Sequence, residues 1–240
     1  MMGAPVGKTP KPVTAGKSQF QALELSMNLM LCYSPVTCSM VPFIALTEAG
    51  APFQIQLINF ALSEHLQPDY LRLNPKHKVP VLLIDGEPLT ENVAIQLWIA
   101  RQFPHARLLP ETGLDEYRAI AMLAWCASGI HAFLTPNFLP QRYCDLPGSE
   151  ESVRRCAHKM LHENFKIAED LLAGREFFFN HFTLADAYFF WCFRRGTQFH
   201  VDVEPYPACR AHFARQVERP SVRKLLAFES ETILNFTKAS

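Results

Sequence analysis

The stretch "YSPVTCSMVPF", residues 33–43, places one thiol, Cys38, among the hydroxyls of Tyr33, Ser34 and Ser39, between an apolar run and a helix start. A thiol at a helix N-terminus sits in the partial positive charge of the first-turn N–H groups. That position favours thiolate over thiol and lowers the pKa from about 8.5. The same N–H groups can instead stabilise a thiolate brought in by a ligand, as an oxyanion hole does. Cys32 lies inside the apolar run "NLMLCY" and reads as a small packed side chain. Further candidates are Glu91 and Asn92, at the start of a helix that opens near Val93, where free N–H groups suit a carboxylate. Asn92 also caps well in its own right.

The elements that must hold these residues alternate in the first half of the chain. "NLMLCY" (28–33) predicts a buried strand, and "SMVPFIALTEAG" (39–50) a helix closed by Gly50. Pro42 is tolerated because first-turn N–H groups have no intrahelical partner. "PFQIQLI" (52–58) sets Phe53, Ile55 and Leu57 against Gln54 and Gln56, a strand. "SEHLQPDYLRLNP" (63–75) is a broken helix, "VPVLLI" (79–84) a strand, "DG" a hairpin turn and "EPLT" the return strand. A helix then runs from Val93, with Val93, Leu97 and Ala100 on one side, to Pro104. This is a βαβ crossover followed by a hairpin and a helix.

Beyond the linker "PHARLLPETG" (104–113) strand signals fade. Helices are expected over 151–174, with Val153, Ala157, Met160, Ile167 and Leu171 on one stripe, over 183–195 behind a Thr183–Asp186 capping box, and over 220–234. The second half is therefore all-α.

Lys+Arg and Asp+Glu are equal, 23 each, which argues against a nucleic-acid partner. No apolar run approaches the roughly 18 residues of a membrane span, so no membrane partner is expected. The seven cysteines are scattered without a CxxC or zinc-like spacing, so neither a disulfide framework nor a metal site is expected, and a reducing cytoplasm is. Residues 1–26 read as a disordered tail, with Lys8, Lys11 and Lys17 but no apolar core of a secretory signal.

In this order and spacing, "YSPVTCSMVPFIALTEAGAPF", "NPKHKVPVLLIDGEPLTEN", "VAIQLWIARQFP" and "FTLADAYFF" resemble a cytosolic glutathione transferase, from about Asn28 to Phe228. Tyr33, Cys38 and Ser39 match the cysteine-bearing bacterial beta class. The resemblance implies a thioredoxin-like, glutathione-binding domain over 27–105, an all-helical domain over 113–240 on the co-substrate side, and a homodimer. It implies glutathione as co-substrate, without a metal, and its conjugation to a small apolar electrophile in detoxification. A cis Val79–Pro80 bond would present a backbone edge to the cysteinyl unit of glutathione. Glu91 would face the α-ammonium, and Asn92 stands where the family usually has serine. The family's lysine for the glycine carboxylate is absent, which leaves His65, Lys78 and His77. His131 matches a histidine aimed at the sulfur, with Ala132 where lysine is usual, and Ala124 and Trp125 where an asparagine is sought. Cys38, Tyr33, Ser34 and Ser39 are the candidates at the sulfur itself. Two alternatives stay open: disulfide reduction through a mixed disulfide on Cys38, and a non-catalytic binding protein that keeps the fold.

Overall fold

The computed structural model describes residues 27–111 and 113–239; the tail expected over 1–26 lies outside the described residues. The first half runs β1 (Leu29–Tyr33), α1 (Met40–Glu48), β2 (Gln54–Leu57), a 3-10 turn (Glu64–Leu66), α2 (Pro68–Leu73), β3 (Val81–Ile84), β4 (Glu87–Thr90) and α3 (Asn92–Gln102). The second half is helical: α4 (Leu114–Trp125), a π turn (Cys126–Ile130), α5 (His131–Phe138), α6 (Glu150–Leu172), α7 (Leu184–Gln198), α8 (Pro207–Glu218) and α9 (Pro220–Ala239).

The sheet order is β2-β1-β3-β4. β1 and β2 are parallel, which requires the crossover through α1; β3 pairs antiparallel with both β1 and β4. The β3–β4 turn takes Asp85 and Gly86 at φ 52° and 93°, the two positive values that a tight hairpin needs. Side chains of β1 alternate between faces. Leu29, Leu31 and Tyr33 enter the main core, while Cys32 joins Ile58, Tyr70, Val79 and Val81 on the other face. This is the packed thiol that the apolar run predicts.

Helix α1 has no polar side to speak of: every residue from Met40 to Leu46 is buried. Such a helix must be covered on all sides. It packs on α3 within the sheet half and on α7 and α9 from the helical half. The seam between the two halves therefore runs along the helix that begins at the candidate thiol.

Two expected stripes are corrected. On α3 the buried residues are Asn92, Ile95, Gln96, Ile99 and Ala100, whereas Val93 and Leu97 are only partly covered. On α6 they are Ala157, Leu161, Asn164, Phe165, Ala168 and Leu172, while Ile167 and Leu171 are exposed. Both helices carry apolar residues on adjacent faces, and periodicity does not say which face meets the core. Helix 114–138 has no counterpart among the expected elements, although its mean hydropathy is high. Leu114–Phe138 is long and apolar enough by composition to cross a membrane, a test that core helices of soluble proteins also pass, and only 33% of its most apolar stretch is buried. Polar Ser128, His131 and Thr135 interrupt the apolar residues of this helix.

The expected capping box forms at α7. The Thr183 N–H donates to Asp186 Oδ2 at 2.8 Å, and the Phe178 N–H to Oδ1 at 3.1 Å. His212 Nε2 lies 3.0 Å from the same carboxylate, and both side chains are fully buried. One carboxylate thus ties α7 to the loop before it and to α8. Replacing Asp186 with Ala removes the acceptor of several buried donors and should cost on the order of 3 kcal/mol. Urea unfolding followed by circular dichroism should show the midpoint falling with unchanged slope; a change below about 0.5 kcal/mol would contradict this assignment.

Candidate active site

The loop from Ser34 to Ser39 is built by its own hydroxyls. The Ser34 N–H donates to Ser39 Oγ at 3.1 Å, and the Thr37 hydroxyl donates to the Ser34 carbonyl at 2.7 Å. Ser39 Oγ also lies 3.0 Å from that carbonyl and 2.7 Å from Thr37 Oγ1. Ser39 is fully buried and its hydroxyl is committed to the turn, so it is placed as a shaping residue rather than a sulfur contact. Ser34, also buried, gives this turn both its N–H and its carbonyl.

Cys38 lies one residue before the N-cap of α1, with its thiol 3.5 Å from the Val79 carbonyl, to which it donates. The Val79–Pro80 bond is cis. Asn92 Nδ2 donates to the Cys38 carbonyl at 2.8 Å, and its Oδ1 accepts from Gln96. Burial pushes the thiol up to about 12, against the opposing pulls of the Asn92 hydrogen bond and the Lys78 charge. This corrects the expectation of a depressed pKa. A helix end contributes about 0.3–1 kcal/mol at an exposed site, whereas full desolvation shifts a group by several pKa units. Desolvation wins, and the group is a neutral thiol at pH 7.

Tyr33 is removed from the sulfur candidates. Its side chain is fully buried, its ring lies 6.0 Å from Phe43 and 5.4 Å from Phe228, and its hydroxyl has no hydrogen-bond partner among the described residues. Burial, then Glu229, holds it above the ordinary tyrosine range. The cause is strand parity: Tyr33 ends β1 on the core face.

Glu91 precedes α3 at φ 72°, a left-handed backbone rarely taken by a side-chain-bearing residue, and its exposed carboxylate pairs with Lys76. Lys76 was not a sequence candidate, and neither was Arg142, whose charge reaches His65 from the helical half. The His65 ring lies 4.3 Å from that of Phe60, tilted by 40°, and 6.4 Å from that of His77; burial, then His77 and Arg142, lower its pKa. Lys78 is exposed, and its carbonyl is fixed by Tyr70 and Asn74 at 2.7 Å each. His65, His77 and Arg142 thus lie near one another, and Lys78 follows His77 on the same loop.

His131 follows the π turn, its Nδ1 3.3 Å from the Tyr188 hydroxyl and its ring 4.4 Å from that of Trp191. Burial, then Lys78 and Arg195, push it down to about 4. The Trp191 indole N–H donates to the Val36 carbonyl at 3.2 Å, while the Val36 N–H donates to Glu229 Oε1 at 2.7 Å. Glu229 was not named from sequence, and Tyr188 and Trp191 stood only within the aromatic run "YFFW", which suits an apolar co-substrate pocket but cannot say which ring faces the loop.

A thioredoxin-like sheet whose thiol loop is completed by a helical partner defines a two-part protein of the glutathione transferase type. A model of the glutathione S-transferase N-terminal domain matches residues 30–101. The glutathione S-transferase GstA of Escherichia coli O157:H7 is 31% identical over 206 residues, 84% of this chain and 98% of that protein. A maleylpyruvate isomerase of Ralstonia is 30% identical, over 70% of this chain and 82% of its own. A sphingomonad glutathione S-transferase, solved as a complex with glutathione, superposes with a TM-score of 0.74 at 33% identity, covering 84% of this chain and 98% of that one. The chain belongs to the glutathione transferase family.

The buried thiol has a direct consequence. The ultraviolet thiolate absorbance near 240 nm, compared between wild type and Cys38→Ala without ligand, should show no thiolate from residue 38 between pH 6 and 9. A titration centred below pH 8 would overturn the burial argument.

Proposed function

We propose that the protein binds glutathione in the sheet half and conjugates its sulfur to a small apolar electrophile held against the helical half. The observation that carries this reading is the Cys38 thiol at the mouth of α1, 3.5 Å from the Val79 carbonyl and beside the cis Val79–Pro80 bond, where burial favours its protonated form. A protonated thiol cannot be the nucleophile, but it can donate a hydrogen bond to the thiolate of a ligand and lower that ligand's pKa. Conjugation then gains from holding the two reactants together. Val79 and Pro80 offer the backbone edge for the cysteinyl unit. The α3 N-terminus offers N–H groups for the γ-glutamyl carboxylate, with Glu91 for the ammonium. The Asn92 side chain is engaged by Cys38 and Gln96, so its part is to hold the Cys38 carbonyl. Lys78 and Arg142, with His65 and His77 as hydrogen-bond donors, take the role of the absent lysine towards the glycine carboxylate. The burial of the thiol weighs against disulfide reduction through Cys38 as the main activity. All seven cysteines are free, which supports a reducing cytoplasm and a detoxifying role there.

We further propose a homodimer in which the sheet half of one subunit faces the helical half of the other, with the exposed apolar residues of α4 and α6 in its contact. Leu114 and Tyr117 are 63% and 67% exposed, and Ile167 and Leu171 lie open on the neighbouring helix. An apolar surface of this kind on a soluble protein marks an interface.

Retention on immobilised glutathione tests the binding assignment. Cys38→Ala should bind within a fewfold of wild type, whereas Glu91→Ala should weaken binding by roughly 1–3 kcal/mol, the cost of losing a charged hydrogen-bond partner. Equal retention by wild type and Glu91→Ala would remove the assigned site. Conjugation to an aryl halide should survive Cys38→Ser in large part, since a hydroxyl also donates. Light scattering at micromolar concentration should give twice the 27.3 kDa chain mass, and Tyr117→Glu should shift it towards one. A wild-type monomer would reject the dimer and leave the fold untouched.

A further inference from the structure

The π turn Cys126–Ile130 interrupts an otherwise regular helix immediately before His131. Insertions of this kind rotate the following side chains and are frequent at functional sites. Here the imidazole is delivered between two rings of α7, Tyr188 at 6.4 Å and Trp191 at 4.4 Å, both edge-on. Trp191 is itself fixed through its indole N–H to Val36, on the loop that carries Cys38.

We propose that the Tyr188 hydroxyl fixes His131 with its single proton on Nε2, making the imidazole a neutral donor directed at the bound sulfur. The inference rests on the glutathione-binding reading for the last step, and on hydrogen-bond accounting for the first. Tyr188 is 1% exposed, and His131 Nδ1 is the hydrogen-bond partner of its hydroxyl. Were Nδ1 to carry the proton and donate to the phenol oxygen, the phenol O–H would be left buried without an acceptor among the described residues, at a cost that native structures avoid. The phenol therefore donates to Nδ1. Burial keeps Tyr188 protonated and His131 neutral at pH 7, so the one imidazole proton sits on Nε2. Nε2 has no hydrogen-bond partner among the described residues, which leaves its N–H for a ligand. Tyr188 is a positioning residue in this scheme, since it acts through the imidazole.

The test reads the tautomer directly. Long-range proton–nitrogen correlation spectra of protein labelled with 15N-histidine, with the His131 signals assigned by their loss in His131→Gln, should show the Nε2–H form in the free wild type. In Tyr188→Phe the preference should fall to a mixture or reverse. The conjugation kcat should drop about 5- to 50-fold, with the KM for glutathione within twofold of wild type. In the His131→Gln background the same tyrosine replacement should cost less than twofold, because a residue that acts through His131 has nothing left to position. A wild-type signal from the Nδ1–H form, or an unchanged tautomer in Tyr188→Phe, overturns the proposal. So does a full additional loss in the double variant. Because the tautomer is read without ligand, failure of the wild type to bind glutathione would reject the functional reading separately.

Discussion

The site hangs on one buried ion pair of the helical half that faces the seam. Arg194 of α7 and Glu229 of α9 meet in a two-pronged contact, with Glu229 3% and Arg194 17% exposed. The Glu229 oxygen that faces the loop accepts the Val36 N–H, and Arg194 also lies 3.1 Å from the sulfur of Met40 in the first turn of α1. Val36 is β-branched and stands at φ 66°, a conformation that costs about 1–2 kcal/mol for an L-residue. A charged acceptor on its N–H and the Trp191 indole on its carbonyl offset that cost. The loop that presents Cys38 is thus bent by groups belonging to the other half of the protein. Losing one member of such a pair leaves a bare charge in the core, typically at roughly 3–5 kcal/mol.

That dependence follows from α1. A helix with seven consecutive buried residues cannot belong to the sheet alone, because one of its sides would then face water. The helical half covers that side with α7 and α9, and Tyr33, Phe43 and Phe228 form the aromatic contact between them. The same burial that joins the halves takes Cys38 out of water. Packing and chemistry are therefore set by one event: closing the seam makes the thiol neutral, and a neutral thiol is a donor.

The polar residues around the loop divide by what surrounds them. Ser39, Thr37 and Asn92 spend their hydrogen bonds on backbone and so fix geometry. His131 and Tyr188 bond each other in a dry pocket, where each is held to one protonation state. Glu91, Lys76 and Lys78 stay in water at the rim, where their charges remain available to a ligand.

The sequence alone determined the architecture and which residues to propose for the site. Strand alternation, the Asp85-Gly86 turn, the Thr183–Asp186 box and the order of the motifs all report local constraints, and local constraints are written in neighbouring residues. Cys38, Val79, Pro80, Glu91 and Asn92 could be proposed from sequence for that reason. Which apolar stripe of α3 and α6 faces inward was not, because it depends on partners far along the chain. Nor was the state of Cys38 legible: a helix N-terminus is visible in sequence, but the desolvation that overrides it comes from α7 and Val79 packing around it. Tyr33 failed as a candidate on strand parity, and Tyr188, Trp191, Arg194 and Glu229 entered only when α7 and α9 closed over the loop. Electrostatics at a buried group is a sum over everything nearby in space, and that sum exists only in the folded chain.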